Sequence, residues 1–229
     1  KGNLAGAQQL QEQVLELRVG IEDVVAKSVA YKLLEPALGL DEPIKLICAE
    51  GGFNDLMAQL ALHRVDLVIA DEPLTRKLSV KAFNHKLGSS PVSFFAAPEL
   101  AARLRQPFPR CLDGAPMLVP AGSSSVRPQF DAWLEREHLH PRVVGEFGDG
   151  ALMKAFGRQG RGVFLSPTVV EDETVRQYGV QVIGRVDEIS DDFYAITAER
   201  RITHPGVAAI TQAARSELFG ARDAATAEA

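Results

Sequence analysis

The fold is decided by residues 17–71, LRVGIEDVVAKSVAYKLLEPALGLDEPIKLICAEGGFNDLMAQLALHRVDLVIAD. This stretch contains three short apolar runs with the composition of buried strands, and two amphipathic segments with helical spacing lie between them. The predicted strands are 17–21, 44–48 and 66–70, and the predicted helices are about 24–38 and 54–63. Strands that alternate with helices in this way predict βαβ units, and therefore a parallel sheet covered by helices.

The alternation begins again beyond a proline-rich connector around Pro107 and Pro109. A strand is predicted at 91–100, before the connector. Beyond it the predicted strands are 117–120, 142–147, 162–166 and 180–186, and the predicted helices are 127–137 and 151–156. A late strand at 192–200 and a helix from His204 to Phe219 are expected to return to the first half. The sequence thus predicts an α/β protein of two lobes, joined by two crossings around a hinged cleft.

Lobe boundaries follow from these elements. Lobe I is predicted at 17–95 and 193–220, and lobe II at 96–192. Residues 1–16 are predicted to be the end of an amphipathic linker helix, and residues 221–229 a disordered tail.

Composition excludes several classes of protein. The 229 residues carry a formal net charge of −5, so the chain lacks the positive field of a self-sufficient nucleic-acid binder. It has no apolar run near the ~20 residues that a membrane span needs. Cys48 and Cys111 are too few for a disulfide framework and predict buried thiols in a reducing, cytoplasmic compartment. No cofactor motif is present, and the spacing of the five histidines does not fit a zinc site.

Several blocks of the chain resemble the LysR-type transcription regulators. The resemblance runs from about residue 16 to 220 and includes GGFNDLMAQLALHRVDLVIAD (51–71), EFGDGALMKAFG (146–157) and ERRITHP (199–205). It implies a fold like that of type 2 periplasmic binding proteins, and an effector domain preceded by a DNA-binding helix-turn-helix. It also implies a homodimer or homotetramer that activates transcription. The last two blocks resemble a subgroup associated with sodium or lithium and with expression of a sodium/proton antiporter.

A serine-rich loop precedes the helix predicted at 127–137. Ser123 and Ser124 could cap that helix, or they could contact an anion at its positive end. In many LysR relatives the corresponding loop lines the effector cleft, and the resemblance makes both serines candidate effector contacts. The two interpretations remain open on the sequence alone.

The strand ends of lobe I carry the other candidate effector residues. Ligands bind at the carboxyl ends of strands in open α/β sheets, which selects Asp23, Val24, Gly52 and Phe53. LysR relatives commonly have Ser or Thr at these positions. Without those hydroxyls, an organic carboxylate would lose its donors and meet Asp23 instead, so a cation is favoured.

Acidic side chains at other strand ends support the same interpretation. Asp23, Asp71 and Asp149, with Glu72 beside Asp71, could form a weak Na⁺ site, because hard cations prefer oxygen ligands. They could equally be helix caps and a solvated turn. Phe164 is a further candidate lining residue. Two acidic pairs, Asp187-Glu188 and Asp191-Asp192, are predicted to form a solvated hinge turn, with a metal site as the alternative.

The helix at 24–38 carries more apolar residues than one packed face requires. The excess either packs in the chain's own core or contacts a second subunit. In LysR relatives this helix pairs with a helix of the partner's second lobe. That resemblance selects Val25, Tyr31, Leu34 and Trp133 as candidate dimer contacts.

The same fold class also includes proteins of other functions. A periplasmic-type solute receptor would share the fold, and an upstream signal peptide in place of a helix-turn-helix would distinguish it. An enzyme is not expected, because the sequence has no nucleophile–base motif and no phosphate-binding glycine pattern.

Overall fold

The computed structural model describes residues 14–75 and 80–220. Its strands are β1 Leu15–Glu22, β2 Ile44–Gly51, β3 Leu67–Ala70, β4 Phe83–Ala96, β5 Pro116–Pro120, β6 Arg142–Phe147, β7 Phe164–Pro167 and β8 Gln181–Thr197. Its helices are α1 Lys27–Leu38, α2 Phe53–Ala61, α3 Pro98–Ala101, α4 Val126–Glu137, α5 Gly150–Arg158, α6 Glu171–Tyr178 and α7 Pro205–Ala213. The predicted linker helix and tail lie almost wholly outside the described residues, but Leu15 and Glu16 belong to β1.

The strands form one six-stranded sheet in the order β2-β1-β3-β8-β4-β7, and a separate pair, β5-β6. β1 runs parallel to both β2 and β3, as the βαβ pattern predicts. β5 and β6 are also parallel. The predicted mixed α/β fold is confirmed.

The two crossings between the halves are long antiparallel strands. β4 and β8 pair over most of their length, with Ser89 opposite Asp192 and Ser90 opposite Asp191. The predicted hinge turn at 187–192 is therefore wrong, because this segment continues through β8. Ser190, Asp191 and Asp192 pair with β4, whereas residues 187–189 lie at a register shift within the strand, opposite the step from Pro91 to Val92. The strand predicted at 91–100 ends at Ala96, and α3 follows it.

Two main hydrophobic cores lie on either side of this crossing. The first packs α1 and α7 on the sheet through Val29, Leu33 and Ile210. The second includes Val92 and Phe94 of β4. The change of core on β4 therefore falls between Leu87 and Val92, a few residues before the lobe boundary predicted from the sequence. The lobe boundaries remain a proposal.

The cysteines differ in environment. Cys111 is buried as predicted, but Cys48 is exposed, so the prediction of two buried thiols is wrong for Cys48. The reason is topological, because β2 is an edge strand of the sheet and leaves one side of its chain uncovered. No helix in the described part of the chain is long and apolar enough to span a membrane.

Candidate ligand-binding cleft

A cleft of about 950 Å³, here called the outer cleft, lies between the strand ends of the two halves. On one side it is formed by the ends of β1, β2 and β3, and on the other by the loops that follow β5 and β6. The sequence-predicted residues that line it are Asp23, Val24, Gly52, Phe53, Ser123 and Asp149. The structure thus brings these six residues together, and their role in binding an effector remains a prediction.

The walls of the outer cleft are acidic. The acidic side chains that line it are Glu22, Asp23, Asp55, Glu72 and Asp149, and the described lining residues include no Lys or Arg. Burial and the neighbouring charge of Asp71 raise the pKa of Glu72. A positively charged group is therefore the favoured occupant of this space.

The predicted Na⁺ site is not formed as the sequence suggested. Asp149 caps α5, where its Oδ1 accepts hydrogen bonds from the backbone N–H of Ala151 at 2.7 Å and of Leu152 at 3.2 Å. Asp71 is buried, whereas Asp23 lies on the outer cleft. Within residues 14–75 and 80–220 no three His, Cys, Asp or Glu side chains form a metal-binding group. The three-carboxylate site is wrong, because Asp149 satisfies a helix terminus and Asp71 points into a different network.

The cap assigned to Asp149 predicts a simple pattern of stabilities. Asp149→Ala should lower the free energy of unfolding by about 1 kcal/mol, whereas Asp149→Ser should retain most of it, because serine also caps helices. Chemical denaturation of both variants measures the difference. Equal loss in the two variants would contradict the capping role.

The serine loop is occupied by a carboxylate of the same chain. Asp71, which follows β3, accepts a hydrogen bond from the Ser125 backbone N–H at 2.9 Å and one from Ser124 Oγ at 3.4 Å. Ser124 Oγ also accepts from the Val126 backbone N–H. Ser124 thus accepts a hydrogen bond from the first turn of α4 but precedes its N-cap residue, Ser125, and the carboxylate at the positive end of the helix is Asp71 of the chain itself. Contact of Ser123 and Ser124 with an effector remains a prediction.

Asp71 belongs to an acidic cluster whose burial the sequence did not reveal. Its neighbours include Glu22 at the end of β1 and Asp191 on β8. Burial, followed by the charge of Asp71, raises the pKa of Glu22 to about 8. The same two causes raise the pKa of Asp191 well above its usual value. The cluster therefore holds protons near neutral pH that exposed carboxyl groups would have lost.

A buried lysine faces this cluster from α5. Lys154 is only 4% exposed, and burial lowers its pKa to about 8. The sequence contains one sign of this burial. Lys154 directly follows Met153 and lies three residues before Gly157, and both of these residues are on the buried face of α5. The sequence pattern predicts the helix but does not single out the lysine.

Lys154 lines a second, smaller cavity of about 40 Å³, here called the inner cavity. Ser124, Ser166 and Asp191 supply its other polar side chains. Its apolar wall includes Val126, Met153, Leu165 and the residue Val24, which also lines the outer cleft. The two spaces are therefore neighbours.

Phe164 does not line either of these two spaces. Its side chain is fully buried and stacks on Phe95, with the ring centroids 5.3 Å apart. The ring also lies so close to Gly157 that a Cβ atom there would come within 2.2 Å of it. The prediction that Phe164 contacts an effector is wrong, because its ring is part of the packing that holds α5 on the sheet.

Three of the four candidate dimer contacts are core residues. Val25, Leu34 and Trp133 are buried in the chain's own hydrophobic clusters, and the Trp133 ring lies 5.6 Å from that of Phe94. They are not available to a partner, so the core-packing alternative applies to them. Tyr31, in contrast, is 62% exposed on α1.

Comparison with known proteins identifies the family. Residues 11–218 match the model of the LysR substrate binding domain, and the chain therefore belongs to that family. It is 34% identical over 212 residues to the transcriptional activator protein NhaR of Escherichia coli (strain K12), a match that covers 91% of this chain and 68% of NhaR. NhaR of Shigella flexneri matches equally.

Solved structures show the same fold. The effector binding domain of QuiR in complex with shikimate has a TM-score of 0.65 at 13% identity, and the match covers 88% of this chain and 95% of that domain. The reduced regulatory domain of OxyR2 from Vibrio vulnificus has a TM-score of 0.67 at 14% identity, covering 93% and 100%. DarR of Vibrio fischeri, in complex with DNA, has a TM-score of 0.66 at 16% identity, covering 87% and 67%.

These findings define the class of protein. The chain is a LysR-type effector-binding domain, related to that of a transcriptional activator, with a fold like that of type 2 periplasmic binding proteins. Its relatives include a transcriptional activator and a regulator solved in complex with DNA, and the expectation that the chain is not an enzyme agrees with them. The comparisons do not support the alternative of a solute receptor.

Proposed function

We propose that this chain is the sensing domain of a cytoplasmic activator that responds to sodium, lithium or pH and controls a sodium/proton antiporter gene. DNA would be bound through a helix-turn-helix that precedes this domain in the full-length regulator. The observation that carries the proposal is the outer cleft, which acidic side chains line between two halves of a regulator fold. The similarity to NhaR supports the choice of subgroup.

The mechanism we infer is a shift between two arrangements of the lobes. Asp71 of the first half is hydrogen-bonded to Ser124 and Ser125 of the second, so its ionisation favours the closed arrangement. A proton or a cation that neutralises the buried acidic cluster would change the energy of that contact. Any ligand that binds one arrangement better shifts the population towards it, and subunit contacts would pass the change to the DNA-binding heads.

The cation part of the proposal can be tested in the full-length regulator. A double variant, Asp23→Asn with Glu72→Gln, removes two charges from the outer cleft and leaves the Asp149 cap intact. Expression from a reporter fused to the target promoter should then respond less to NaCl, compared with equimolar KCl. The control is Asp131→Asn, an exposed residue of α4. A response equal to that of the wild type would contradict a sodium-sensing cleft.

We further propose a homodimer formed through the open sheet edges. β2 and β6 each end a sheet, and they expose Ile47 at 39%, Val143 at 46% and Val144 at 42%. Exposed apolar side chains on unpaired edges favour association with a second copy of the chain. Tyr31 on α1 is the one predicted interface residue that remains accessible.

The dimer proposal predicts a change of mass in solution. Val144→Asp should convert the domain to a monomer in sedimentation or light-scattering measurements, because a charge would then lie within an apolar contact. Leu62→Asp is the matched control, because Leu62 is 62% exposed at the end of α2. If Val144→Asp left the mass unchanged from that of a wild-type dimer, the β6 edge would not be the interface.

A further inference from the structure

The inner cavity contains polar groups that the chain does not satisfy. Lys154 is 4% exposed and forms no hydrogen bond or ion pair with another described residue, and its Nζ lies 5.9 Å from the centroid of the Tyr178 ring. Asp191 Oδ1 and Ser166 Oγ are buried without a hydrogen-bond partner in the described chain. Buried polar groups are normally paired, because leaving them unpaired is costly. Asp191 Oδ1 and Ser166 Oγ therefore lack a partner within the described residues, and the Lys154 side chain lines the same cavity.

The chemistry of these groups fits a carboxylate. The Lys154 ammonium and the Ser166 hydroxyl are donors that face the same space as Asp191. Burial and the neighbouring charge of Asp71 raise the pKa of Asp191, which favours its neutral form, and the neutral carboxyl group can also donate a hydrogen bond. The 40 Å³ cavity is large enough for about three water molecules, which is the space that one carboxylate group needs.

The rest of such a ligand would extend into surroundings of the opposite charge. Val24 and Gly148 line both the inner cavity and the outer cleft, so a chain of atoms could pass between the two spaces. The outer cleft is far larger, at about 950 Å³, and acidic side chains line it. A second negative group would be repelled there, whereas an ammonium or guanidinium group would be attracted.

We propose that the inner cavity and the outer cleft together bind a zwitterion that carries a carboxylate at one end and a cationic group several atoms away. The carboxylate contacts Lys154 and Ser166, and the cationic group lies among Asp23, Glu72 and their neighbours. This inference rests on the proposed role of the outer cleft as the effector site, and adds a ligand class to it. Sodium ions would compete with the cationic end for the same carboxylates.

The test compares a probe that carries both a carboxylate and an amine with two probes that carry only one of these groups. Isothermal titration of this chain with ε-aminocaproate should give an affinity at least about tenfold higher than with caproate, which lacks the amine, or pentylamine, which lacks the carboxylate. Lys154→Met should lower the affinity for ε-aminocaproate by about tenfold or more, because a charge-assisted contact is lost. Ser166→Ala, a smaller change, should weaken binding several-fold.

Controls keep the outcome specific. Lys45→Met removes a lysine whose side chain is 61% exposed on β2 and should leave binding unchanged. Equal binding of the three probes, undetectable binding of ε-aminocaproate, or an unchanged affinity in Lys154→Met would each overturn the zwitterion site. These measurements involve no promoter. Failure of the proposed function would instead appear as a reporter response that the cleft variants leave unaltered, so the two failures are distinguishable.

Discussion

Phe164→Ala is expected to lower the free energy of unfolding by about 3–5 kcal/mol, the range for removal of a buried phenylalanine ring. The Phe164 side chain is fully buried, stacks on Phe95 and fills the space against Gly157. Because Gly157 is on α5, a cavity here would also loosen the helix that carries Lys154. The measurement is equilibrium unfolding in urea.

Phe156→Ala is the matched control for that experiment. Phe156 lies on the same helix but is 45% exposed, so its removal should cost much less. Similar losses in the two variants would mean that the Phe164 ring does not pack as described.

Glu22→Gln is expected to remove much of the pH dependence of stability between about pH 4.5 and 8. The Glu22 pKa is about 8 in the folded chain, against 4.5 for an ordinary glutamate. Between these values the folded state keeps a proton that the unfolded state loses, so the wild type should become less stable as the pH rises. The effect is on the order of a few kcal/mol, since one pKa unit corresponds to about 1.4 kcal/mol.

The neighbours of Glu22 determine how complete this effect is. Asp71 and Asp191 also have raised pKa values, so they too make the free energy of unfolding fall as the pH rises. Glu22→Gln should therefore flatten the profile without abolishing its slope, and the variant should be the more stable protein at pH 8. Glu16→Gln, at a half-exposed position on β1, is the control. A steeper profile for Glu22→Gln than for the wild type would contradict the buried, protonated carboxyl group.

Much of the architecture could be predicted from the sequence. An apolar run marks β3 clearly, because a strand buried on both faces consists almost wholly of apolar residues. Apolar runs also mark β1 and β2, although β2 is an exposed edge strand. The rule that ligands bind at strand ends then places Asp23, Val24, Gly52 and Phe53 on one cleft. The local pattern was sufficient to place these four residues, because each one directly follows a strand whose position the pattern predicts.

The burial of side chains that are covered by distant parts of the chain could not be predicted. Asp191 looks like part of a polar turn, yet β4 pairs with its strand and encloses it. Lys154 is one charged residue on a short helix, and only the packing of α5 shows that it faces inwards. Leu34 looked surplus to one helix face and Trp133 was selected by the family resemblance, but each lies on the buried face of its own helix and packs in the chain's own core.

Occupancy of the outer cleft is the event that we expect to control the regulator. Gly148→Phe tests this directly, because Gly148 lines both the inner cavity and the outer cleft, and a Cβ atom there meets nothing within 4 Å. The added ring should fill the passage between the two spaces without disturbing the core. Gly39→Phe, at the exposed end of α1, is the matched control.

The measurement is reporter expression from the target promoter by the full-length regulator, in NaCl and in equimolar KCl, with operator binding measured in parallel. We predict that Gly148→Phe still binds the operator but gives the same expression in both salts, while Gly39→Phe responds as the wild type does. A Gly148→Phe regulator with a wild-type response would contradict the claim that the cleft is the sensor.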